Sequence, residues 1–119
     1  MSYIIPINRD GLSTETLTSC AVVPPEGILS GKAVEQGAVH ASSGKVTIGT
    51  WECTPYAEIL AYPAATEYAT VLSGQVAITD DDGTVHTFGA GDSYVLKSGF
   101  SGHFEVLETL RKIYVLIED

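Results

Sequence analysis

Basic residues are scarce in this chain. Six lysines and arginines stand against fifteen acidic residues in 119, a formal net charge of −9. Such a chain repels phosphate backbones and anionic lipid surfaces, so neither nucleic acid nor a membrane is an expected partner. Long apolar runs are also missing, and none approaches the length of a membrane-spanning helix. Met1–Arg9 shows no basic segment leading into an apolar stretch, so no secretion signal is read and the cytoplasm is the expected compartment. Only two cysteines occur, Cys20 and Cys53, with neither a CxxC pair nor a histidine at metal-ligand spacing. In a reducing compartment they read as small buried hydrophobes. Helix signals are nearly absent. Ser13–Leu17 would cap one short turn at most, because β-branched threonines and the Pro24-Pro25 pair stop anything longer. No phosphate-binding glycine loop, dinucleotide fingerprint or nucleophile elbow is present.

What is present is strand. Hydrophobic residues make up 45% and charged residues 18%, which excludes disorder, and the length is that of one domain with its own core. From residue 45 onward, short runs rich in Val, Ile, Thr and Tyr alternate with clusters of Gly, Pro, Asp and Ser. Strands are expected over 45–53, 58–62, 68–72, 75–79, 84–88, 93–96, 102–107 and 110–117. Asp80-Asp81-Asp82-Gly83 reads as a hairpin turn, since Gly supplies the positive φ and Asp bonds its own backbone. It lacks the later oxygen ligands of a calcium loop. Gly89–Asp92 is a second tight turn. About eight strands with a turn every 8–12 residues indicate an all-β sandwich or barrel. Residues 1–44 are more loop-like, with Cys20–Val23 as a candidate strand, yet too apolar for a free tail. The chain is therefore one domain, 1–119, with 1–44 as an N-terminal arm with strands and 45–117 as the barrel. The arm is expected to lie along the barrel or along a second subunit.

Residues 67–102 carry a specific spacing. Glu67 is followed after six residues by Gly74, and Gly91-Asp92 precedes Lys97-Ser98-Gly99. Ahead of these stands Gly49-Thr50-Trp51-Glu52-Cys53-Thr54-Pro55, and after them Phe100-Ser101-Gly102-His103 and Glu108-Thr109-Leu110-Arg111-Lys112. Four such segments in order resemble the small RmlC-like cupins related to the cupin domains of (S)-ureidoglycine aminohydrolase and of ethanolamine-utilisation proteins. Lys97 stands where that pattern usually has proline, and His103 where it has tryptophan.

The resemblance implies a jelly-roll barrel (a double-stranded β-helix) with a small pocket between its sheets. It also implies positions for a metal. Most metal-binding cupins present two histidines and a glutamate from the first motif and a third histidine from the second. Here the histidine positions fall on Leu60 and Tyr62, or Ala61 and Pro63 with a shorter spacer, and on Gly102, leaving Glu67 alone. No metal centre and no cofactor are expected, and a divalent metal is disfavoured. His103 is one residue from the ligand position, and a one-residue step along a strand points the opposite way; it reads as a packing or interface residue. His40 and His86 read as solvated, on a loop and beside the hairpin.

Glu67 faces two readings: a general acid/base whose carboxylate is held in an apolar site, or a structural partner for Lys97, Arg111 or backbone N–H groups. Trp51, Cys53, Tyr62 and Phe104 are expected to line a ligand pocket with it, while Tyr56 and Tyr68 are weaker candidates. The function this supports is binding of a small polar metabolite in the barrel, and the resemblance to ureidoglycine aminohydrolase implies a nitrogen-rich one. The alternatives are a hydrolase, lyase or isomerase using Glu67 as acid/base, and a dimeric structural or sensor protein with a vestigial pocket. The doubly apolar last strand and the arm point to a homodimer.

Overall fold

A computed structural model describes residues 3–119. Nine strands form one strongly curled antiparallel sheet: β1 (Thr18–Cys20), β2 (Ile28–Gly31), β3 (Glu35–Ser43), β4 (Val46–Cys53), β5 (Tyr56–Tyr62), β6 (Ala65–Thr79), β7 (Val85–Gly89), β8 (Ser93–Leu96) and β9 (Phe100–Glu118). A 3₁₀ turn at Pro25–Gly27 is the one helical element among the described residues. The order β1-β3-β4-β9-β5-β2 continues from β9 into β6, which also pairs with β7 and β8. The expected all-β jelly roll is what forms.

Two long strands turn the corner between the walls of the barrel. The first part of β9 (100–106) pairs with β5, and its second part (110–117) pairs with β4, while β6 runs beside it throughout. The spacing read as two strands on either side of Ser73-Gly74, and two more on either side of Glu108-Thr109, is instead one bent strand each time. Register shifts interrupt β6 between Val71 and Val76, opposite Lys112 to Val106 of β9. Gly74 makes that bend possible: its φ is +84°, and a Cβ there would lie 2.0 Å from the Thr109 carbonyl oxygen.

Alternation sorts each strand into an inner and an outer face. Tyr56, Glu58, Leu60 and Tyr62 of β5 share one face with Phe104, Val106, Leu110 and Lys112 of β9 and with Glu67, Ala69 and Val71 of β6; several of these are fully buried. Val23, Trp51, Cys53, Val76, Ile78, Tyr94 and Leu96 complete the core. The turns match their sequence signals. Asp80 and Gly83 close the β6–β7 hairpin, and the Asp92 carboxylate accepts from Gly89 N–H at 2.8 Å to fix the β7–β8 turn.

The barrel begins before residue 45, since β2 and β3 belong to the sheet. The candidate strand at Cys20–Val23 shrinks to β1, and Ser13–Leu17 forms bends rather than a helical turn. His40 is not solvated on a loop. It is buried in β3, its Nε2 2.8 Å from Thr50 Oγ1 and its Nδ1 2.8 Å from Ser13 Oγ. Thr50 Oγ1 donates in turn to Gly11 O, and Arg111 donates to Asp10 O. Side chains of β3, β4 and β9 thus hold residues 10–13 against the outside of the chain's own barrel.

Candidate functional site

The inner faces of β4, β5, β6 and β9 enclose a cavity of about 280 Å³. Most of its wall is apolar or aromatic: Trp51, Tyr56, Leu60, Tyr62, Phe104 and Tyr114. Glu58, Glu67 and Lys112 supply the charge, and Val22, Val23 and Pro24 close one side. A larger depression of about 410 Å³ lies along β7 and β8. Its charged residues and its histidine, Asp80, Lys97 and His86, are all exposed, and the hydroxyl of its buried Tyr94 is taken by Lys112.

Lys112 is the centre of the smaller cavity. Alternation brings it inward beside Tyr114, and its Nζ donates to Glu67 Oε2 at 2.7 Å and to the Tyr94 hydroxyl at 2.9 Å. The same ammonium lies 5.0 Å from the ring centres of both Trp51 and Phe104, and 5.6 Å from that of Tyr94. Burial alone would drive this amine toward neutrality. The adjacent Glu67 carboxylate, with Tyr94 and Tyr62, outweighs burial and holds Lys112 above the ordinary lysine range. It is a fixed cation, unavailable as a base or nucleophile at neutral pH. Glu67 is correspondingly committed, with Oε2 on Lys112 and Oε1 accepting from the Tyr62 hydroxyl at 3.2 Å. Its partner is neither of the expected cations: Arg111 bonds Glu52 at 2.9 Å on the outer face, and Lys97 is exposed.

Glu58 is in a different state. It is 3% exposed; its Oε2 accepts from Tyr56 OH, and its Oε1 has no partner. Burial raises its pKa, against lowering contributions from the Tyr56 hydroxyl and Lys112. Glu35 holds the wall together, accepting the Trp51 indole N–H at 2.9 Å and the backbone N–H groups of Val22 and Val23. Those bonds fix the ring and the segment that closes the cavity.

Of the residues singled out from sequence, Trp51, Tyr62, Glu67 and Phe104 all line this cavity. Cys53 shares their face but lies outside the lining, fully buried in the core, where burial pushes its thiol up to about 12. Tyr68 points outward, and so does His103, as its strand parity requires. Tyr56, the weaker candidate, lines the cavity, and Glu58, Lys112 and Tyr114 join it unanticipated. Parity was the available signal: Lys112 is in step with Leu110 and Tyr114, and Glu58 with Tyr56 and Tyr62.

The donor set does not fit the metal whose positions the resemblance implied. Leu60, Tyr62 and Gly102 offer no imidazole, and the Glu67 carboxylate is bonded to an ammonium. Gly102 has no room for any side chain, because a Cβ there would lie 2.0 Å from the Thr79 carbonyl oxygen. Among the described residues, one group of three side chains is close enough to share an ion, Asp80–Asp82, on the exposed hairpin turn.

No curated protein matches the chain in sequence. Solved structures do. A protein of unknown function from Pseudomonas syringae pv. tomato str. DC3000 superposes with a TM-score of 0.80 at 20% identity, over 92% of this chain and 46% of that one. The chain thus spans less than half the length of that neighbour. A predicted oxalate decarboxylase from Thermotoga maritima gives 0.69 at 18% identity, over 98% and 99% of the two chains. A putative ethanolamine utilization protein Q from Salmonella typhimurium LT2 gives 0.65 at 16%, over 87% and 94%. Identities this low speak for the fold alone. The profile of the EutQ-like cupin domain matches residues 40–114, a span that holds every charged residue of the cavity, and the chain therefore belongs to the EutQ-like cupins.

Proposed function

We propose that this cupin binds a small, nitrogen-rich polar metabolite in its barrel, without a conventional metal centre. The observation that carries the reading is the Lys112 ammonium, fixed 2.7 Å from Glu67 beside an open aromatic cavity. A permanent internal cation takes up the carboxylate that other cupins give to a metal, and the remaining space is left for an organic ligand. At about 280 Å³ the cavity is at the small end of ligand sites, which fits a metabolite rather than a chain or a nucleotide. The motif resemblance to the ureidoglycine aminohydrolase cupins, read from residues 49–112, makes ureides and related compounds the first panel. A thermal-shift screen of metal-stripped protein against that panel and against divalent metals tests the reading. A nitrogenous metabolite should raise Tm and the metals should not; stabilisation by a divalent ion at one per chain would reverse it.

An enzymatic reading is supported by one feature, and it moves the acid/base role from Glu67 to Glu58. Glu67 is tied to Lys112, whereas Glu58 is buried, has a raised pKa and keeps one oxygen free. A loss of turnover in Glu58→Gln that exceeds its loss of ligand affinity, read as kcat against KM, would establish it.

A further inference from the structure

The polar atoms of the cavity are unequally satisfied. Lys112, Glu67 and Tyr62 bond one another, whereas Glu58 Oε1 is the buried side-chain oxygen or nitrogen left without a partner among the described residues. A buried acceptor with nothing to accept is costly, more so for a charged group, so native structures seldom keep one without a use. The charges are unequal too. Two carboxylates, Glu58 and Glu67, line the cavity with one ammonium, and that ammonium is bonded to Glu67. The walls add a third element. Trp51 and Phe104 already face a buried cation at 5.0 Å, which shows that these rings accommodate positive charge, and Tyr56, Tyr62 and Tyr114 leave further aromatic surface around the open space.

Resting on the reading of the cavity as a ligand site, we infer that its ligand is a small singly charged nitrogen cation (a protonated amine, amidinium or guanidinium) that pairs with the Glu58 carboxylate. A cation balances the excess carboxylate and packs against aromatic walls. An anion would face both Glu58 and Glu67. A neutral amide would fill the hydrogen bond and leave the charge of Glu58 uncompensated. A metal ion would find one carboxylate and a phenol, short of a ligand set.

The test pairs cations with neutral isosteres on the full chain: methylguanidinium against methylurea, and benzamidinium against benzamide. Trp51 is the single tryptophan, so its fluorescence reports events in the cavity. The cations should saturate at one per chain and bind at least tenfold tighter than their isosteres. In Glu58→Gln that preference should vanish while weak isostere binding persists. Should Glu58→Gln fail to fold, the wild-type ratio of cation to isostere decides alone. Equal binding of both classes, unchanged by Glu58→Gln, overturns the inference and leaves the ligand site standing. No binding of either class up to millimolar concentration overturns both.

Discussion

At the scale of single residues, two carboxylates on the strands that flank β9 have opposite relations to the fold. Glu67 and Lys112 form a buried pair, 3% and 7% exposed at the side chain. Removing one partner strands the other charge, which costs about 3–5 kcal/mol. Glu67→Gln should therefore lower Tm by roughly 10–20 °C, and the double variant Glu67→Leu/Lys112→Met should recover most of the loss. A Glu67→Gln protein melting at the wild-type temperature would show the pair to be dispensable. Glu58 should behave in reverse. It is faced by Lys112 from β9, Glu35 from β3 and Tyr56 on its own strand, and burial dominates to raise its pKa above the ordinary 4.5. Between pH 4.5 and the raised value the folded state holds a proton that the unfolded chain has released, so this group's contribution falls as pH rises through that window, above which Glu58 is a buried carboxylate. Glu58→Gln should match wild type near pH 4 and melt higher at neutral pH. Parallel melting profiles from pH 4 to 8 would contradict this.

At the scale of strands, the corner where β6 passes β9 explains both the motif and its misreading. Ser73-Gly74 and Glu108-Thr109 look like turns in sequence, and each would normally end a strand. In space they face one another, and the two apparent breaks are one shared bend. Gly74→Ala places a side chain at φ +84° and against the Thr109 carbonyl. The left-handed conformation alone costs about 1–2 kcal/mol, and the clash adds to it. Urea unfolding should show a loss above about 2 kcal/mol; a smaller loss would mean that the corner relaxes freely. Inner and outer faces were legible wherever alternation was unbroken, which is why Trp51, Tyr62, Glu67 and Phe104 were found together. Lys112 and Glu58 were not, because a charged residue in an apolar run reads as outward until its parity is counted across the bend. His40 was hidden by a bulge: the β3 register shifts between Val39 and Ala41, and His40 occupies the extra position, turned toward Thr50 and the arm.

At the scale of the molecule, the arm is only partly accounted for. Residues 10–13 are clamped to their own barrel, whereas Tyr3 and Ile5 are 95% and 47% exposed. Across the outer sheet, Ile48, Val115, Tyr68 and Val95 stand in register on four adjoining strands. A two-fold dimer would let each arm's leading residues cover this row on the partner. Light scattering at micromolar concentration should give about twice 12.6 kDa, and a monomer mass would reject the dimer. The fold class was readable because turn signals and β-branched runs are local. Closure of the barrel was not, because it depends on pairings far apart in sequence. That distance has a consequence during synthesis. β4 and β5 both wait for β9, whose pairing residues lie 38 or more positions further along, and β6 has its longest partner there too. Until residues 100–118 leave the ribosome, β4 and β5 present bare edges and the cavity has no far wall. The barrel should form only after those residues emerge, on the slow side for a chain of this size, and it should lean on holding chaperones in the interval.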